Sequence, residues 1–261
     1  MEQITSRDNP LVKQAVRLMK SRRERRESGL FVAEGIKLCC EAAGSGRPVE
    51  QLLCTRRALE RYPRELEGLI ERASASFLIG EGVEQKIADT AAPQGVYCLC
   101  QLPPEQPLSL DPRGRYLLLV SLQDPGNVGT ILRSCEAFGV TALLVTEDCP
   151  DLYSPKVLRS TMGSVFRLPV GRYADPILLA QTLGERGITL YGAALGPGSR
   201  PLSQLRLGEG CCIAVGNEGN GLPADFLDRC AGSVIIEMKG RAESLNAAAA
   251  ASILAYALTK D

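Results

Sequence analysis

From residue 116 onward the chain alternates short apolar runs with helical stretches, and this alternation limits the fold more than any other feature. The runs fall at 116–120, 141–145, 166–170, 188–193, 211–215 and 234–237. They contain few polar residues, so each predicts a strand buried on both faces, the habit of a parallel sheet covered by helices. The sequence therefore predicts an α/β fold with a mostly parallel sheet. In such sheets ligands bind beyond the carboxyl ends of the strands, so the loops that follow the runs are where chemistry is to be sought.

The first hundred residues read as a separate, small α/β domain. A helix is predicted over 9–27: Asn9-Pro10 marks its start, and Leu11, Val12, Ala15, Val16, Leu18 and Met19 form an apolar face. Its far end is basic, with Arg17, Lys20, Arg22, Arg23, Arg25 and Arg26 set against one acid, Glu24. Such a cluster is either a solvated helix end that complements the macrodipole or a patch that contacts phosphates. A strand at 30–33, a helix at 36–43, a strand at 49–54, a helix carrying Arg56, Arg57, Arg61 and Arg64, and strands near Phe77 and Val96 complete the domain. Residues 101–114 hold four prolines and little periodicity, the composition of an extended connection. The division expected is 1–103, a linker over 104–114, and 115–261.

Composition narrows the chemistry. Histidine is absent from all 261 residues. That excludes Ser-His-Asp and Cys-His nucleophile systems, imidazole bases and His-ligated metals, so catalysis must come from Arg, Lys, carboxylates, hydroxyls, backbone or a cofactor. The ten cysteines lie mostly in apolar segments with no Cys-x-x-Cys pair; they read as small buried hydrophobes in a reducing compartment, and no metal is expected. The formal net charge is zero, so a nucleic-acid partner must be argued from where the charges sit. No stretch approaches the roughly 20 apolar residues of a membrane span. The N-terminus resembles no signal peptide, and Glu2, Asp8, Glu24 and Glu27 oppose a transit peptide, so a cytoplasmic location is expected and a membrane partner is not.

Three of the loops after the apolar runs are rich in Gly, Asn and charge. The first, after 116–120, contains Asp124-Pro125-Gly126-Asn127 and leads into a helix bearing Arg133. The second, after 211–215, is Gly216-Asn217-Glu218-Gly219-Asn220-Gly221. Its order is Gly-x-x-Gly-x-Gly, which is not the dinucleotide fingerprint, and the phosphate-loop signature is absent. The third runs from the last strand through Met238 and Gly240 to Glu243-Ser244-Leu245-Asn246, then into five alanines, 247–251. Ser or Asn there could simply cap a helix. The alanines let the helix start approach a neighbouring backbone or a ligand closely. A fourth loop, Leu195 to Ser199, is chemically plainer.

Taken in order, Asn127-x-Gly129-x-Ile131-x-Arg133-x3-Ala137-Phe138-Gly139, Lys156-Val157-x-Arg159-Ser160-x2-Gly163, Gly216-Asn217-Glu218-Gly219-x-Gly221-Leu222 and Met238-x-Gly240-x2-Glu243-Ser244-Leu245-Asn246 resemble the motifs of the SpoU-type (TrmH family, SPOUT superfamily) RNA ribose 2′-O-methyltransferases. The N-terminal Ser6-Arg7-x-Asn9-Pro10-x-Val12-Lys13, with 25–35, is similar to the L30e-like substrate-binding domain of ribosomal-RNA members.

The resemblance implies a trefoil knot near the C-terminus, a homodimer formed through the C-terminal domain, S-adenosylmethionine as methyl donor, and structured RNA as substrate, ribosomal RNA ahead of transfer RNA. By carry-over, Leu195, Gly196, Val215, Gly216, Ile236, Met238 and Leu245 would line the donor pocket. Asn127, Arg133, Glu218, Ser244 and Asn246 would be the catalytic set, with Arg133 either the base or the group that orients substrate, and the other four holding it and the loops in register. Arg17, Lys20, Arg22, Arg23, Arg25 and Arg26 would contact RNA. The chain departs from the family pattern in two places: Glu237 stands where Pro is usual, and Ala247-Ala248 replace Val-Ser. The competing expectations are a non-catalytic RNA-binding or ribosome-assembly protein that keeps the fold, and a transfer-RNA 2′-O-methyltransferase.

Overall fold

A computed structural model describes residues 1–104, 107–196, 198–241 and 244–260 of the chain. Glu243, one of the motif positions, and part of the 104–114 linker lie outside the described residues. The chain divides into two compact units. The first comprises residues 1–105 with 151–166; the second comprises 106–150 with 167–261.

The first unit is built from β1 (Glu2–Ile4), α1 (Pro10–Lys20), α2 (Arg22–Ser28), β2 (Leu30–Glu34), α3 (Ile36–Gly44), β3 (Val49–Thr55), α4 (Arg56–Arg61), α5 (Pro63–Arg72), β4 (Ala73–Ile79), α6 (Glu81–Ile87) and β5 (Val96–Gln101). The sheet order is β1-β4-β3-β5-β2; β5 runs antiparallel to both its neighbours and the other pairings are parallel. Val12, Ala15, Leu18 and Met19 of α1 pack with Val83 and Ile87 of α6 against Val32, Leu53, Tyr97 and Leu99.

The single helix expected over 9–27 is two helices. Ser21 leaves the helical region at φ −123° and ψ 117°, and its hydroxyl accepts from the Glu24 N–H. Ser-x-x-Glu is a helix start signal, and here it restarts the chain in a new direction. The helix expected to carry Arg56 to Arg64 is likewise broken, because Pro63 begins α5 and keeps Tyr62 out of the helical region.

The break after α1 determines what Arg25 can do. Its side chain is only 4% exposed and pairs with Asp151 at 2.7 Å, while Nη1 donates to the Leu18 carbonyl at the end of α1. Arg25, expected on an RNA-contacting surface, is a structural residue with its guanidinium enclosed. Asp151 opens the segment 151–166, which carries α8 (Pro155–Thr161) and belongs to the first unit although the sequence on both sides belongs to the second. Phe31 packs on Tyr153 and Phe166 with ring centroids 4.9 and 5.9 Å apart, and Arg159 reaches Asp89 at 2.7 Å. The first unit therefore includes an excursion from the middle of the sequence that periodicity does not mark.

The second unit contains β6 (Arg115–Leu119), α7 (Pro125–Phe138), β7 (Ala142–Thr146), β8 (Val170–Tyr173), α9 (Pro176–Glu185), β9 (Thr189–Ala193), β10 (Arg200–Pro201), β11 (Cys211–Val215), α10 (Ala224–Leu227), β12 (Gly232–Ile235) and α11 (Ala247–Thr259). Every pairing is parallel, in the order β10-β12-β9-β11-β6-β7-β8. The mostly parallel sheet is as the apolar runs predict, and β11 has the expected bounds. Two runs are displaced: Ser164–Phe166 is a 3-10 turn before β8, and β12 begins at Gly232 and ends at Ile235, which frees Ile236 to Met238 from the ladder.

Alternate strand residues divide the core. Tyr116, Leu118, Leu144, Cys212 and Ala214 pack with Leu179, Leu183 and Phe226 of α9 and α10. Leu117, Leu119, Leu143, Val145 and Ile213, also buried, face the other way, toward α7 and α11. Among the described residues no helix is long and apolar enough to cross a membrane.

Removing one partner of a buried ion pair strands the other charge, so Arg25→Ala is expected to cost about 3–5 kcal/mol of stability. Urea unfolding of the parent and the variant measures it; a loss below about 1 kcal/mol would show that Arg25 does not hold the excursion.

Candidate functional site

The order of the parallel strands creates the site. From β6 the chain steps outward through β7 and β8, then crosses to the other side of β6 to lay down β9, and β11 later fills the gap between them. The loops leaving β9, β11 and β12 part at this reversal, the place where an open α/β sheet offers a crevice. They enclose a cleft of about 740 Å³, walled by Ala194, Leu195, Val215, Gly216, Ile236, Met238, Leu245, Ala247, Ala250 and Leu254, with Glu218, Ser244 and Asn246 among its polar lining. That volume suits a nucleoside-sized ligand, and mostly apolar walls with a few polar groups are what such sites carry.

Backbone is brought close on purpose at the second loop. A side chain on Gly216 would stand 2.2 Å from the Gly221 carbonyl carbon and 2.4 Å from the Leu222 nitrogen, so only glycine fits. Gly221, at φ +68°, closes the bend, exchanging backbone hydrogen bonds with Asn217 at 3.0 and 2.9 Å. The Asn217 side chain completes it. Oδ1 accepts from the Gly219 and Asn220 N–H groups at 2.9 and 3.1 Å, and Nδ2 donates to the Ser121 carbonyl at 2.8 Å. Asn217 is a site residue that the sequence reading named within a motif but gave no role; an Asn between glycines in a tight bend was the signal.

Glu218 ties the three loops together. Its carboxylate accepts from the Gln123 N–H at 3.0 Å, the Asp124 N–H at 3.2 Å and Asn127 Nδ2 at 3.1 Å. Asn127 Oδ1 in turn accepts from Asn246 Nδ2 at 3.1 Å, and Asn246 caps α11 through bonds from the Ala248 and Ala249 N–H groups. Asn246 is thus both the helix cap and a site residue; the two readings of that position are compatible. Burial raises the Glu218 carboxyl, but the hydrogen bonds from Asn127 and from the Gln123, Glu218 and Asp124 N–H groups outweigh it and hold the pKa below the usual Glu value.

The remaining expected residues fall as follows. Leu195, Val215, Gly216, Ile236, Met238 and Leu245 line the cleft, whereas Gly196 does not. Ala247, Ala250 and Leu254, at helical spacing along one face of α11, complete the wall. Ser244 lies in the wall but outside the hydrogen-bond network. Arg133 is exposed on α7, six residues and about 9 Å of helix rise beyond Asn127. Among the described residues it has no polar partner, so the network holds the loops and not Arg133. Glu237 does not line the cleft; it accepts a hydrogen bond from the Ser203 hydroxyl. In the first unit, Arg17 pairs with Glu24 at 3.3 Å and Arg23 with Glu27 at 2.7 Å, Lys20 and Arg26 are exposed, Arg22 is half-buried, and Arg25 is enclosed as described above.

Comparison with known proteins agrees with this geometry. Residues 114–256 match the SpoU rRNA Methylase family, and residues 9–98 match the MRM3-like substrate binding domain. The chain is 34% identical to the 23S rRNA (guanosine(2553)-2′-O)-methyltransferase RlmP of Bacillus subtilis (strain 168), over 258 residues that cover 99% of each. It is 31% identical to the 23S rRNA (uridine(2479)-2′-O)-methyltransferase of Streptomyces viridochromogenes, covering 97% of this chain and 90% of that one. Among solved structures, the AdoMet-bound rRNA methyltransferase from Sinorhizobium meliloti matches with a TM-score of 0.85 at 27% identity, over 98% of this chain and 97% of that one. With a family match over more than half of its length, and a relative above 30% identity along nearly all of it, this chain belongs to the SpoU rRNA methylase family.

Proposed function

We propose that the chain transfers a methyl group from S-adenosylmethionine to a ribose 2′-hydroxyl of large-subunit ribosomal RNA. The observation that carries this reading is the cleft at the sheet's reversal, with all three motif loops tied to one carboxylate at its edge. The donor fits. Apolar walls at Leu195, Ile236, Met238 and Leu245 suit an adenine and the methylene groups of a methionine chain, and the loop packed around Gly216 lets backbone groups reach the ligand directly. Bound there, S-adenosylmethionine supplies an electrophilic methyl group.

The residues have to align three atoms and manage one proton. The 2′-oxygen would form a bond to the methyl carbon as the carbon–sulfur bond breaks, its electron pair leaving with sulfur as a neutral thioether, and the hydroxyl proton would pass to solvent. A guanidinium carries donors and no acceptor. Arg133 is therefore read as the group that holds the target nucleotide's phosphate and orients its hydroxyl. Glu218, Asn127 and Asn246 keep the loops in the arrangement that makes this alignment possible.

The same reading assigns substrate RNA to the first unit, as the L30e-like substrate-binding domain, with Arg17, Lys20, Arg22, Arg23 and Arg26 as its basic face. It also threads the C-terminal loops into a trefoil knot, places the protein in the cytoplasm, and pairs two copies through α7 and α11. The pairing is supported by an exposed apolar patch of Phe138, Ile253 and Tyr256, 39%, 40% and 52% exposed, in which Phe138 and Tyr256 meet edge to face. The relatives named above act on a guanosine and on a uridine, and the position methylated here is to be read from cells with and without the protein by alkaline cleavage mapping. A methylated ribose resists cleavage, so one protected position in the ribosomal RNA is expected. No dependent protection, together with no S-adenosylmethionine binding in calorimetry, would favour a non-catalytic assembly protein; protection in transfer RNA alone would move the substrate.

Arg133→Ala is expected to lower kcat/KM by on the order of 10²-fold, the cost of misplacing a reacting group, with donor affinity retained. Equal activity in parent and variant would remove Arg133 from the mechanism.

Glu218→Gln loses a charged acceptor of three N–H groups and should weaken donor binding about tenfold or more. Because the Glu218 carboxyl lies below its usual pKa, its contribution is complete above the unfolded value and is lost as pH falls through the folded one. Donor binding should therefore stay flat through neutral pH and fall only on the acid side of the usual Glu value, and Gln should abolish that acid limb. An acid limb that survives in the Gln variant would assign it to another group.

Tyr256→Asp is expected to convert a dimer to a monomer in sedimentation velocity; an unchanged dimer would place the interface elsewhere.

A further inference from the structure

We propose that Lys239 and Arg241 form an RNA phosphate anchor at the mouth of the cleft, gripping the backbone beside the nucleotide that is methylated. The inference rests on the methyltransferase reading and adds a binding site on the second unit.

Both residues lie on the loop between β12 and α11 that also carries Met238, Ser244 and Leu245, walls of the cleft; Ala242 and Glu243, which follow Arg241, lie outside the described residues. Lys239 and Arg241 are both exposed, and among the described residues neither has a hydrogen-bond or ion-pair partner. A Cβ built on Gly240, between them, would meet nothing within 4 Å, so the backbone at that point is open to an approaching ligand. Of the acids on either side of the pair in sequence, Glu243 lies outside the described residues, and Glu237 accepts from the Ser203 hydroxyl and does not line the cleft. This accounts for an acid where the family usually has proline: it pins the base of the loop.

The substrate's chemistry supplies the rest. A ribose that presents its 2′-hydroxyl carries a 3′-phosphodiester on the adjacent carbon, so methylation brings a negative charge to the rim of a mostly apolar cleft. A cation with no partner among the described residues is available to that phosphate without first breaking an ion pair. Arg17 and Arg23 of the first unit, by contrast, already hold Glu24 and Glu27. Arginine can grip a phosphate through two parallel N–H donors and lysine through a point charge, and neither reads the base. The anchor fixes register on the RNA and leaves choice of sequence to other contacts.

The test uses the full chain and unmodified 23S ribosomal RNA transcribed in vitro. Binding of the parent and of the Lys239→Gln/Arg241→Gln double variant is measured between about 50 and 200 mM salt, with S-adenosylmethionine calorimetry beside it. Loss of two phosphate contacts should make the slope of log K against log salt shallower by about 1.4 to 1.8, with donor affinity within about twofold of the parent. The Lys239→Arg/Arg241→Lys double variant should keep the parent's slope. An unchanged slope in the Gln variant overturns the anchor, as does a loss of donor binding with the slope intact, which would make the pair part of the loop's own fold. A parent that binds RNA with a variant equal to it sinks the anchor alone; a parent that neither binds nor methylates RNA sinks the functional reading with it.

Discussion

The arrangement of the second unit's site depends on one carboxylate. Glu218 takes two backbone N–H groups from the turn that opens α7 and one amide from Asn127, and Asn127 passes the connection to Asn246 at the start of α11. The start of each of these helices has N–H groups with no intrahelical partner. A charged acceptor and two amides satisfy several of them at once, joining residues 91 and 119 positions apart. Charge-assisted bonds of this kind are stronger than neutral ones, so Glu218 ties the second loop to the start of α7, and Asn127 extends the tie to the start of α11.

The cleft's other constraint is steric. At Gly216 the backbone of Gly221 and Leu222 comes so close that no side chain fits, while Gly221 is held to glycine by its φ of +68°. On α11 the alanines divide their work: Ala247 and Ala250 line the cleft, and Ala248, Ala251 and Ala255 are buried. A helix of small residues can approach its neighbours closely on several sides. The usual cost of such a helix is lost apolar burial, and Leu254 and Leu258, both essentially buried, restore part of it.

These two constraints explain which parts of the fold were legible in the sequence. Strands buried on both faces write themselves as uninterrupted apolar runs, so the parallel sheet was readable and β11 was placed to the residue. Features set by tertiary partners were not. The helix break at Ser21 is written in Ser-x-x-Glu, but a basic amphipathic pattern continues across it and masks it. Nothing near Arg25 in sequence shows that its acid is Asp151, 126 residues away. The excursion of 151–166 into the first unit depends on Phe31 and Glu34 meeting Tyr153, Phe166 and Arg159, pairings that periodicity cannot reveal. The cleft's apolar walls were found through motif resemblance, while Ala247, Ala250 and Leu254 needed the helix phase to be known.

The same logic separates the cations of this chain by their partners and not by their number. A zero net charge conceals arginines of different kinds. Arg25 is enclosed with Asp151, where its charge organises a fold. Arg17 and Arg23 are exposed but paired with acids of α2, so a phosphate must compete with a carboxylate for each of them. Arg133, on the helix that the Glu218 network positions, has no polar partner among the described residues. Surface ion pairs contribute about 0–1 kcal/mol each, so competition does not forbid RNA binding by the paired arginines, but it lowers what each contact returns. A dense basic run is therefore a weaker indicator of a phosphate site than a sparse cation that the fold has left without an acid.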